Sequence, residues 1–357
     1  MTLRIVQWTS GGVARQAVRA IVSHPGLNLV GMYAYSADKV GRDAGELVGL
    51  DPLGIQATNA IADLIALQPD CVSYNPLYAD VGHLEQLLAA GINVVTTCNF
   101  ITGWGLDYQA RNDAGISPRQ RLRDAAERGN ASLFGTGINP GHINYLACAV
   151  SAHCREVRKL TVTEAVDVFH FVGDRNMDQI GFGLPAGGAA LTAAITQETA
   201  VFGDALELMA ALLDNELEDI RCEVEFASAK EDIDAPGRHI GRGCVAGVRI
   251  RWIGSINGVD RLENQQIWVV GKNTDAPWPV SHGYTVNIEG DPSMHNVMLP
   301  IPAMNPARMT PRDMNDLGMQ ITALPAVNAI PAVCRAAPGI RTYRDLPPVT
   351  AAGRLPA

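Results

Sequence analysis

The chain has no run of lysine and arginine, and its charge balance is acidic. Lysine and arginine total 28 against 37 aspartates and glutamates, which gives a formal net charge of -9 over 357 residues. A surface that binds nucleic acid or an anionic membrane needs a concentrated positive field. We therefore expect neither nucleic acid nor a membrane as a partner, although a few local cations would suffice for one cofactor phosphate.

Long apolar runs and closely spaced cysteines are also missing. No segment approaches the roughly 20 apolar residues of a transmembrane helix, and the opening MTLRIVQWTSGG lacks the apolar core of a signal peptide. The seven cysteines form no CxxC pair, and the histidines form no HxxxH pair. These absences predict a reduced, cytoplasmic protein without a bound metal.

Hydrophobic residues make up 47% of the chain, and their pattern changes at Gly141. Before it, helices alternate with short β runs: LRIVQW, LNLVGMY, CVSY, NVVTT and ASLFGTG. Such alternation is typical of βαβ units in a parallel sheet. After it, long alternating strands and an Asn257-Gly258 hairpin signal indicate a mainly antiparallel sheet. We predict an α/β protein with a Rossmann domain, a doubly wound parallel sheet, at 1–141, an α+β domain at 142–308, and a helical segment at 309–357 that packs back on the Rossmann domain.

The first β run leads into TSGGVA, which precedes a helical pattern. The dinucleotide fingerprint G-x-G-x-x-G/A places Thr9, Gly11 and Ala14 at its three small positions, so the first glycine is absent. A glycine lets the backbone approach a pyrophosphate, and a helix N-terminus offers free N–H groups. An ordinary βα turn is the alternative. We predict that the turn holds the pyrophosphate through Thr9, Ser10, Gly11, Gly12 and Val13.

The end of the second β run, AYSADKVGR, bears on the choice of cofactor. A protein that binds NAD usually carries an acidic residue here for the ribose 2′-hydroxyl. In this sequence Asp38 comes after Ser36, and the cations Lys39 and Arg42 follow it. A hydroxyl and two cations suit a 2′-phosphate. We predict that Ser36, Lys39 and Arg42 select NADPH over NADH, with a solvated loop as the alternative.

Polar residues follow the later β runs, at the edge where open α/β enzymes bind ligands. Asn99 follows NVVTT; it cannot act as an acid or base, but its amide can orient a reacting group. Asn75 and Thr97 are expected on the nicotinamide side, and Asn139 is a further cofactor-binding candidate. A separate proton donor, where one is needed, would come from a group of tyrosine, histidine and aspartate residues that could equally be core or loop residues. Its members are Tyr74, Tyr78, His142, Tyr145, Asp167 and His170.

Several segments together resemble the dihydrodipicolinate-reductase-like family that contains 2,4-diaminopentanoate dehydrogenase and the native amine dehydrogenases. They are IVQWTSGGVARQAVRAIV, SADKVGRDAGELVG, GINVVTTCNF, FGTGINPGHIN, and TALPAVNAIPAVC followed by PGIRTYRDLP. The resemblance spans nearly the whole chain and is most specific at 322–347. It implies an NAD(P)-dependent enzyme that aminates a carbonyl compound reductively, or runs the reverse reaction. It also implies a homodimer whose second domain carries the substrate pocket and the dimer interface.

The resemblance further implies a carboxylate just after NVVTT, where this sequence has Asn99. Hydride transfer to a preformed imine needs mainly orientation and a dry site. We therefore expect an NADPH-dependent reductase of C=N bonds in small, mainly apolar imines, with Asn99, His142 and Tyr74 as catalytic candidates. Three alternatives stay open: an amine dehydrogenase that uses ammonia, a carbonyl reductase with a separate acid, and a non-catalytic NADPH sensor.

Overall fold

A computed structural model describes residues 2–113, 115–304 and 308–355. The chain divides into two compact units, of which the first comprises Met1–His142 with Asp316–Ala357 and the second Ile143–Asn315. Each unit is built around its own sheet. Within the described ranges, no helix is long and apolar enough to cross a membrane.

The strands, in chain order, are β1 (Leu3–Trp8), β2 (Leu27–Tyr33), β3 (Ala57–Thr58), β4 (Cys71–Tyr74), β5 (Asn93–Thr96), β6 (Ser132–Gly135), β7 (Glu156–Asp167), β8 (Asp219–Ser228), β9 (Ile233–Ala235), β10 (Arg238–Ile240), β11 (Val245–Ile256), β12 (Val259–Val269), β13 (Gly283–Asp291), β14 (Met294–Met298) and β15 (Gly339–Arg341). The α-helices are α1 (Gly12–Val22), α2 (Ala44–Val48), α3 (Ile61–Ala66), α4 (Val81–Ala89), α5 (Trp104–Gln109), α6 (Pro118–Gly129), α7 (Ile143–Val150), α8 (Ala189–Glu198), α9 (Val201–Leu212) and α10 (Pro311–Val333).

The first unit has a seven-stranded parallel sheet in the order β15-β6-β5-β4-β1-β2-β3. The strands β2 and β3 lie on one side of β1, whereas β4, β5 and β6 lie on its other side. Sheets of this kind open a ligand crevice at this switch point, between β1 and β4. The central strands are apolar and almost fully buried, as a sheet covered on both faces requires. This arrangement brings the ends of β1, β2, β4 and β5 to one edge.

Local signals mark the ends of two helices of the first unit, α4 and α6. Asp80 accepts the His83 N–H at 3.0 Å at the start of α4. Ser117 caps α6 in the same way, with Pro118 in its first turn, and α6 stops where Asn130 adopts a left-handed conformation at φ 54°. Caps of this kind satisfy backbone groups that a helix end leaves unpaired. The borders of these two helices therefore follow from the sequence.

The second unit has a six-stranded sheet in the order β14-β13-β7-β12-β11-β8. Only the β7–β12 pair is parallel among the described strand pairs of this sheet. The hairpin between β11 and β12 turns at Asn257 and Gly258, whose φ angles are 52° and 70°. The predicted α/β class, with one parallel and one mainly antiparallel sheet, is confirmed.

Three predicted elements differ from the structure. The alternating run LTVTEAVDVFHF predicts a strand as far as Phe171, but β7 stops at Asp167, where the Asp167 carboxylate accepts the Phe169 N–H and starts a turn. The helical pattern of the sequence over about 190–217 predicts one helix, but the structure has two, α8 and α9, separated at Thr199–Ala200. The helical segment expected over 309–357 ends its helix at Val333, and β15 follows and pairs with β6.

Candidate active site

The glycine turn leaves the N-terminus of α1 open. Gly11 precedes the helix in an extended conformation, with φ −72° and ψ −172°, and no side chain in the described part of the chain caps the first turn. A Cβ atom added at Gly11 would meet nothing within 4 Å. The free N–H groups and the open space beside them fit a pyrophosphate, and Val13 lies in the same first turn.

Thr9 and Gly12, in the same turn as Gly11, are each constrained by neighbouring residues. Thr9 adopts φ 73°, the conformation that the missing first glycine would adopt readily. Its hydroxyl donates to the Asn75 carbonyl at 3.2 Å, and its N–H donates to the Tyr33 carbonyl at 2.9 Å. A Cβ on Gly12 would lie 3.0 Å from Met319 Cγ of α10. Gly12 is thus required by packing within the unit.

The loop after β2 brings a cation to the glycine turn. Lys39 Nζ donates to Ser10 Oγ at 3.1 Å. Backbone hydrogen bonds join Lys39 N–H to Ser36 O and Arg42 N–H to Lys39 O, so the three predicted residues share one pair of turns. Ser36 and Arg42 are exposed. The structure places the Lys39 ammonium group at Ser10, with Ser36 in the same loop, and these groups could hold a phosphate.

The nearest acidic residues do not take the place of a ribose-binding carboxylate. Asp43 accepts backbone N–H groups at the start of α2 and from residues 53–55. The hydrogen bond from the Leu53 N–H is the largest of several that lower the pKa of Asp43. Asp38 is exposed in the loop. Asp43 therefore has a structural role, whereas Lys39 contacts the turn through Ser10.

Asn75 and Thr97, which are predicted to line the nicotinamide side, meet at the ends of β4 and β5. Asn75 Nδ2 donates to Thr97 Oγ1 at 2.9 Å. Asn75 Oδ1 accepts from Gln7 Nε2 at 2.8 Å and from Ser73 Oγ at 3.0 Å. Asn75 is therefore held rigidly, with 9% of its surface exposed, and Thr97 is half-buried beside it.

Gln7 is a residue that the sequence reasoning missed. It is wholly buried in β1, and its Oε1 has no hydrogen-bond partner among the described residues. Such an atom calls for an explanation, and a bound ligand is one. The signal in the sequence was a lone amide inside the otherwise apolar end of LRIVQW.

The Asn99 side chain connects two loops by hydrogen bonds. Its Oδ1 accepts the Ala79 N–H at 2.7 Å, and its Nδ2 donates to Gln109 Oε1 at 3.4 Å. The side chain is half-buried. The loop after β5 is thus tied to the loop after β4, at the same edge of the sheet as the glycine turn.

Tyr74 does not fit its predicted role as a proton donor. Its side chain is fully buried, its ring lies 5.3 Å from that of Trp8, and its hydroxyl accepts the Asp80 N–H at 3.2 Å. Burial raises the pKa of Tyr74 far above its ordinary value. The ring points into the core, because successive side chains of a strand point to opposite faces. The structure therefore removes Tyr74 from the catalytic candidates.

His142 follows β6 through a tightly turned segment that contains Asn139. The Asn139–Pro140 peptide is cis, and a Cβ on Gly141, at φ 130°, would lie 2.7 Å from Thr136 Oγ1. The His142 ring is half-buried, 5.8 Å from the Tyr343 ring. Burial lowers the pKa of His142, so the ring is neutral at pH 7.

An aromatic group that the sequence reasoning also missed adjoins the loop after β2. Trp8 stacks on Tyr33 with ring centroids 4.0 Å apart, and its Nε1 donates to Tyr35 Oη at 3.1 Å. The Tyr35 ring is 50% exposed and lies 6.3 Å from the His83 ring. A flat exposed surface of this kind could hold the cofactor's adenine.

Comparison with known proteins gives a family match over more than half of the chain. The sequence model of the 2,4-diaminopentanoate dehydrogenase C-terminal domain matches residues 142–354. An amine dehydrogenase of Streptomyces virginiae is 27% identical over 98% of each chain. A 4-hydroxy-tetrahydrodipicolinate reductase of Synechococcus elongatus is 33% identical over 20% of this chain and 31% of its own.

Solved structures agree with the fold. An amine dehydrogenase from Mycobacterium smegmatis superposes with a TM-score of 0.76 at 19% identity and covers 99% of both chains. An oxidoreductase from Agrobacterium radiobacter, solved with NAD+, L-tartaric acid and magnesium, reaches 0.52 at 11% identity over 93% of this chain and 89% of its own. At such identities the likeness establishes the architecture alone.

Proposed function

Because the chain belongs to the 2,4-diaminopentanoate dehydrogenase C-terminal domain family, we propose that it is an NADPH-dependent reductase of C=N bonds. The broader class is an oxidoreductase of the amine dehydrogenase group that uses a nicotinamide cofactor. The narrower proposal concerns the reacting bond and the phosphorylated cofactor. The substrate proposed is a small, mainly apolar imine.

The observation that carries the proposal is the side chain at position 99. The resemblance implies a carboxylate there, and this chain has an amide whose Oδ1 is already engaged by the Ala79 N–H at 2.7 Å. Capture of ammonia needs proton transfers that a positioned acid or base accelerates by ~10²–10⁴-fold. Reduction of a preformed imine omits those steps. An amide at this position therefore favours imine reduction over amination with free ammonia.

The preference for NADPH rests on the contact between Lys39 and Ser10. That ammonium group lies at the glycine turn, and Ser36 shares its loop. The residues present fit a dinucleotide with a 2′-phosphate, which would bind across the open start of α1 and the Lys39 loop. The bound cofactor would supply the hydride. The protein would bind it, orient the acceptor and exclude water.

The neutral state of His142 disfavours the carbonyl reductase alternative. A ketone needs an acid near its oxygen, and burial lowers the pKa of His142 below its ordinary value. With Tyr74 buried in the core, neither Tyr74 nor His142 is suited to that task. A homodimer and a cytoplasmic location, which the resemblance and the composition predicted, stay part of the proposal.

The deciding experiment follows NADPH consumption with three substrates in parallel. They are the preformed cyclic imine 2-methyl-1-pyrroline, cyclohexanone alone, and cyclohexanone with ammonia or methylamine. We expect turnover of the imine and none of the ketone alone, with NADPH binding more tightly than NADH in a fluorescence titration. Turnover of the bare ketone, or binding of NADH as tight as that of NADPH, would contradict the proposal.

A further inference from the structure

Hydrogen bonds between side chains connect β1 to the ends of β4 and β5 within the first unit. Gln7 Nε2 donates to the Trp8 carbonyl at 2.7 Å and to Asn75 Oδ1 at 2.8 Å. Asn75 Nδ2 in turn donates to Thr97 Oγ1 at 2.9 Å. Gln7 is wholly buried, Asn75 is 9% exposed, and Thr97 is half-buried. We call Gln7, Asn75 and Thr97 the amide network, which begins inside the sheet and ends at its edge.

One backbone carbonyl fixes the direction of the hydrogen bonds in the amide network. The Trp8 carbonyl can only accept, so the Gln7 atom beside it must be Nε2, and the Gln7 amide cannot be turned over. Asn75 must then present Oδ1 to Gln7 and Nδ2 to Thr97. Ser73 Oγ also donates to Asn75 Oδ1 at 3.0 Å, but a hydroxyl can donate or accept and does not decide the orientation. Gln7 therefore determines which end of Asn75 faces Thr97.

The backbone around the amide network is held as well. The Thr9 hydroxyl donates to the Asn75 carbonyl at 3.2 Å, and the Thr97 N–H donates to the Tyr74 carbonyl at 3.2 Å. The positions of Asn75 and Thr97 are thus set by main-chain hydrogen bonds. What the Gln7 side chain adds is the orientation of the Asn75 amide.

Gln7 has a buried acceptor that brings no stability. Its Oε1 is inaccessible to solvent and has no hydrogen-bond partner among the described residues. Such an atom destabilises the fold, and an apolar side chain, like those of the buried neighbours Ile5 and Val6, would avoid that cost. A ligand at the edge of the sheet would meet the other end of the amide network. The orientation of Asn75 therefore explains a glutamine at this position.

The end of the amide network offers hydrogen atoms to a ligand. Because Thr97 Oγ1 already accepts from Asn75, its own hydrogen points elsewhere, and no residue in the described ranges accepts it. The second N–H of Asn75 Nδ2 likewise has no acceptor in the part of the chain that the structure describes. If the Asn75 amide were turned over, Thr97 would donate to Oδ1 and keep only lone pairs for a ligand.

We propose that Gln7 is a positioning residue that directs the Thr97 hydroxyl hydrogen to the carboxamide oxygen of the cofactor's nicotinamide. A carboxamide carries one acceptor and one donor group, and a partner that offers a hydrogen atom selects the oxygen. The inference rests on the proposed function, since it takes the nicotinamide to lie at the ends of β4 and β5. Gln7 would then act on the orientation of the nicotinamide without touching it.

The test compares two analogues of NADP+ by titration calorimetry on the full chain. The 3-acetylpyridine analogue keeps the carbonyl oxygen and lacks the NH2 group, whereas the thionicotinamide analogue keeps the NH2 group and has sulfur, a weak acceptor, in place of oxygen. We expect the wild type to bind the acetylpyridine analogue about fivefold more tightly than the thionicotinamide analogue, the effect of one net hydrogen bond. A change that only loosens the fold would weaken both analogues alike and leave this preference unchanged.

The decisive variant is Gln7→Glu. An acid at this position has at most one proton, which the Trp8 carbonyl requires, so the side chain presents an acceptor to Asn75. Asn75 would then turn its amide over and accept from Thr97, and the preference for the acetylpyridine analogue should disappear or reverse. Gln86→Glu is the matched control, because Gln86 is exposed on α4 and donates to the Gly82 carbonyl at 3.2 Å. This control should keep the preference of the wild type.

Two results would overturn the inference: a wild type that does not prefer the acetylpyridine analogue, and a folded Gln7→Glu protein that keeps the preference. Thermal melting checks the fold. Where Gln7→Glu does not fold, Gln7→Leu decides, since an apolar side chain no longer orients Asn75, and a retained preference there contradicts the inference.

The same measurements separate this inference from the proposed function. A wild type that shows the preference but reduces no imine refutes the proposed reaction and leaves the role of Gln7 standing. If NAD+ binds more tightly than NADP+, the NADPH proposal fails, and the corresponding analogues of NAD+ test Gln7 in the same way. A wild type that binds neither dinucleotide overturns both.

Discussion

At the scale of single residues, Asn99 has a structural task beside its proposed chemical one. Its Oδ1 accepts the Ala79 N–H at 2.7 Å, and its Nδ2 reaches Gln109 Oε1 at 3.4 Å. A carboxylate could accept the same N–H, so a charged side chain at this position need not release the loop after β4. Substitutions at position 99 can therefore test how a negative charge there changes reductive amination.

We predict that Asn99→Glu increases reductive amination of cyclohexanone with ammonia by about 10²-fold, because a positioned base assists the proton transfers. NADPH oxidation with and without ammonia measures the gain. Asn99→Gln has the same length without the charge and should show no gain. An intact Asn99→Glu protein without increased amination would show that this position is not an acid–base site.

At the scale of elements, two glycines at the start of α1 have different roles, one in packing and one in the proposed ligand binding. Gly12 faces Met319 of α10, and the space beside Gly11 is open. Two adjacent glycines of one turn thus lack side chains for different reasons. Substituting valine at each of these positions therefore gives two variants with the same side chain in the same turn.

We predict that Gly12→Val lowers the free energy of unfolding by about 1–3 kcal/mol, because its side chain crowds Met319. Gly11→Val should change that free energy by less than about 0.5 kcal/mol and should strongly weaken NADPH binding. Urea unfolding and a fluorescence titration measure the two effects. Unimpaired NADPH binding by Gly11→Val would argue against a pyrophosphate at this turn.

An ion-pair network joins three strands of the second sheet. Glu263 of β12 is 3% exposed and lies 2.7 Å from Lys159 Nζ of β7 and 2.8 Å from Arg251 Nε of β11. Burial alone raises the pKa of Glu263, but the hydrogen bonds from Arg251 and Lys159 outweigh it, and the pKa lies below its ordinary value. The carboxylate therefore stabilises the fold in its charged form.

We predict that Glu263→Gln lowers the free energy of unfolding at pH 7 by about 3 kcal/mol, because two cations lose their partner. Since the folded pKa is depressed, this contribution is complete above about pH 4.5 and is lost as the pH falls through the folded value. Urea unfolding between pH 7 and 3 should show the difference from wild type narrowing. Glu225→Gln, which removes an exposed ion pair, should lower the free energy of unfolding by at most about 1 kcal/mol. If the difference in free energy of unfolding between Glu263→Gln and wild type stayed constant from pH 7 to pH 3, the depressed pKa of Glu263 would be contradicted.

At the scale of the whole molecule, the sequence predicted what depends on neighbours in the chain. Local periodicity and turn residues predict the strands β1, β2, β4, β5 and β6, the helices α1, α4 and α6, and the turn at Asn257. Tyr74 was misplaced because the sequence does not show which side of a strand end faces the crevice. Gln7 was missed because a polar residue in a strand resembles one on a solvent face. Only the register of neighbouring strands shows which residues meet.

The pairing of β15 with β6 constrains the order in which the protein can be completed during synthesis. The whole second unit lies between these two strands in the chain, and Ser132 of β6 also donates to the Ala337 carbonyl at 2.8 Å. On the ribosome, the outer edge of β6 stays unpaired until Gly339–Arg341 has emerged, by which time every residue of the second unit has been synthesised. The unit whose translation starts first is therefore the last to be finished.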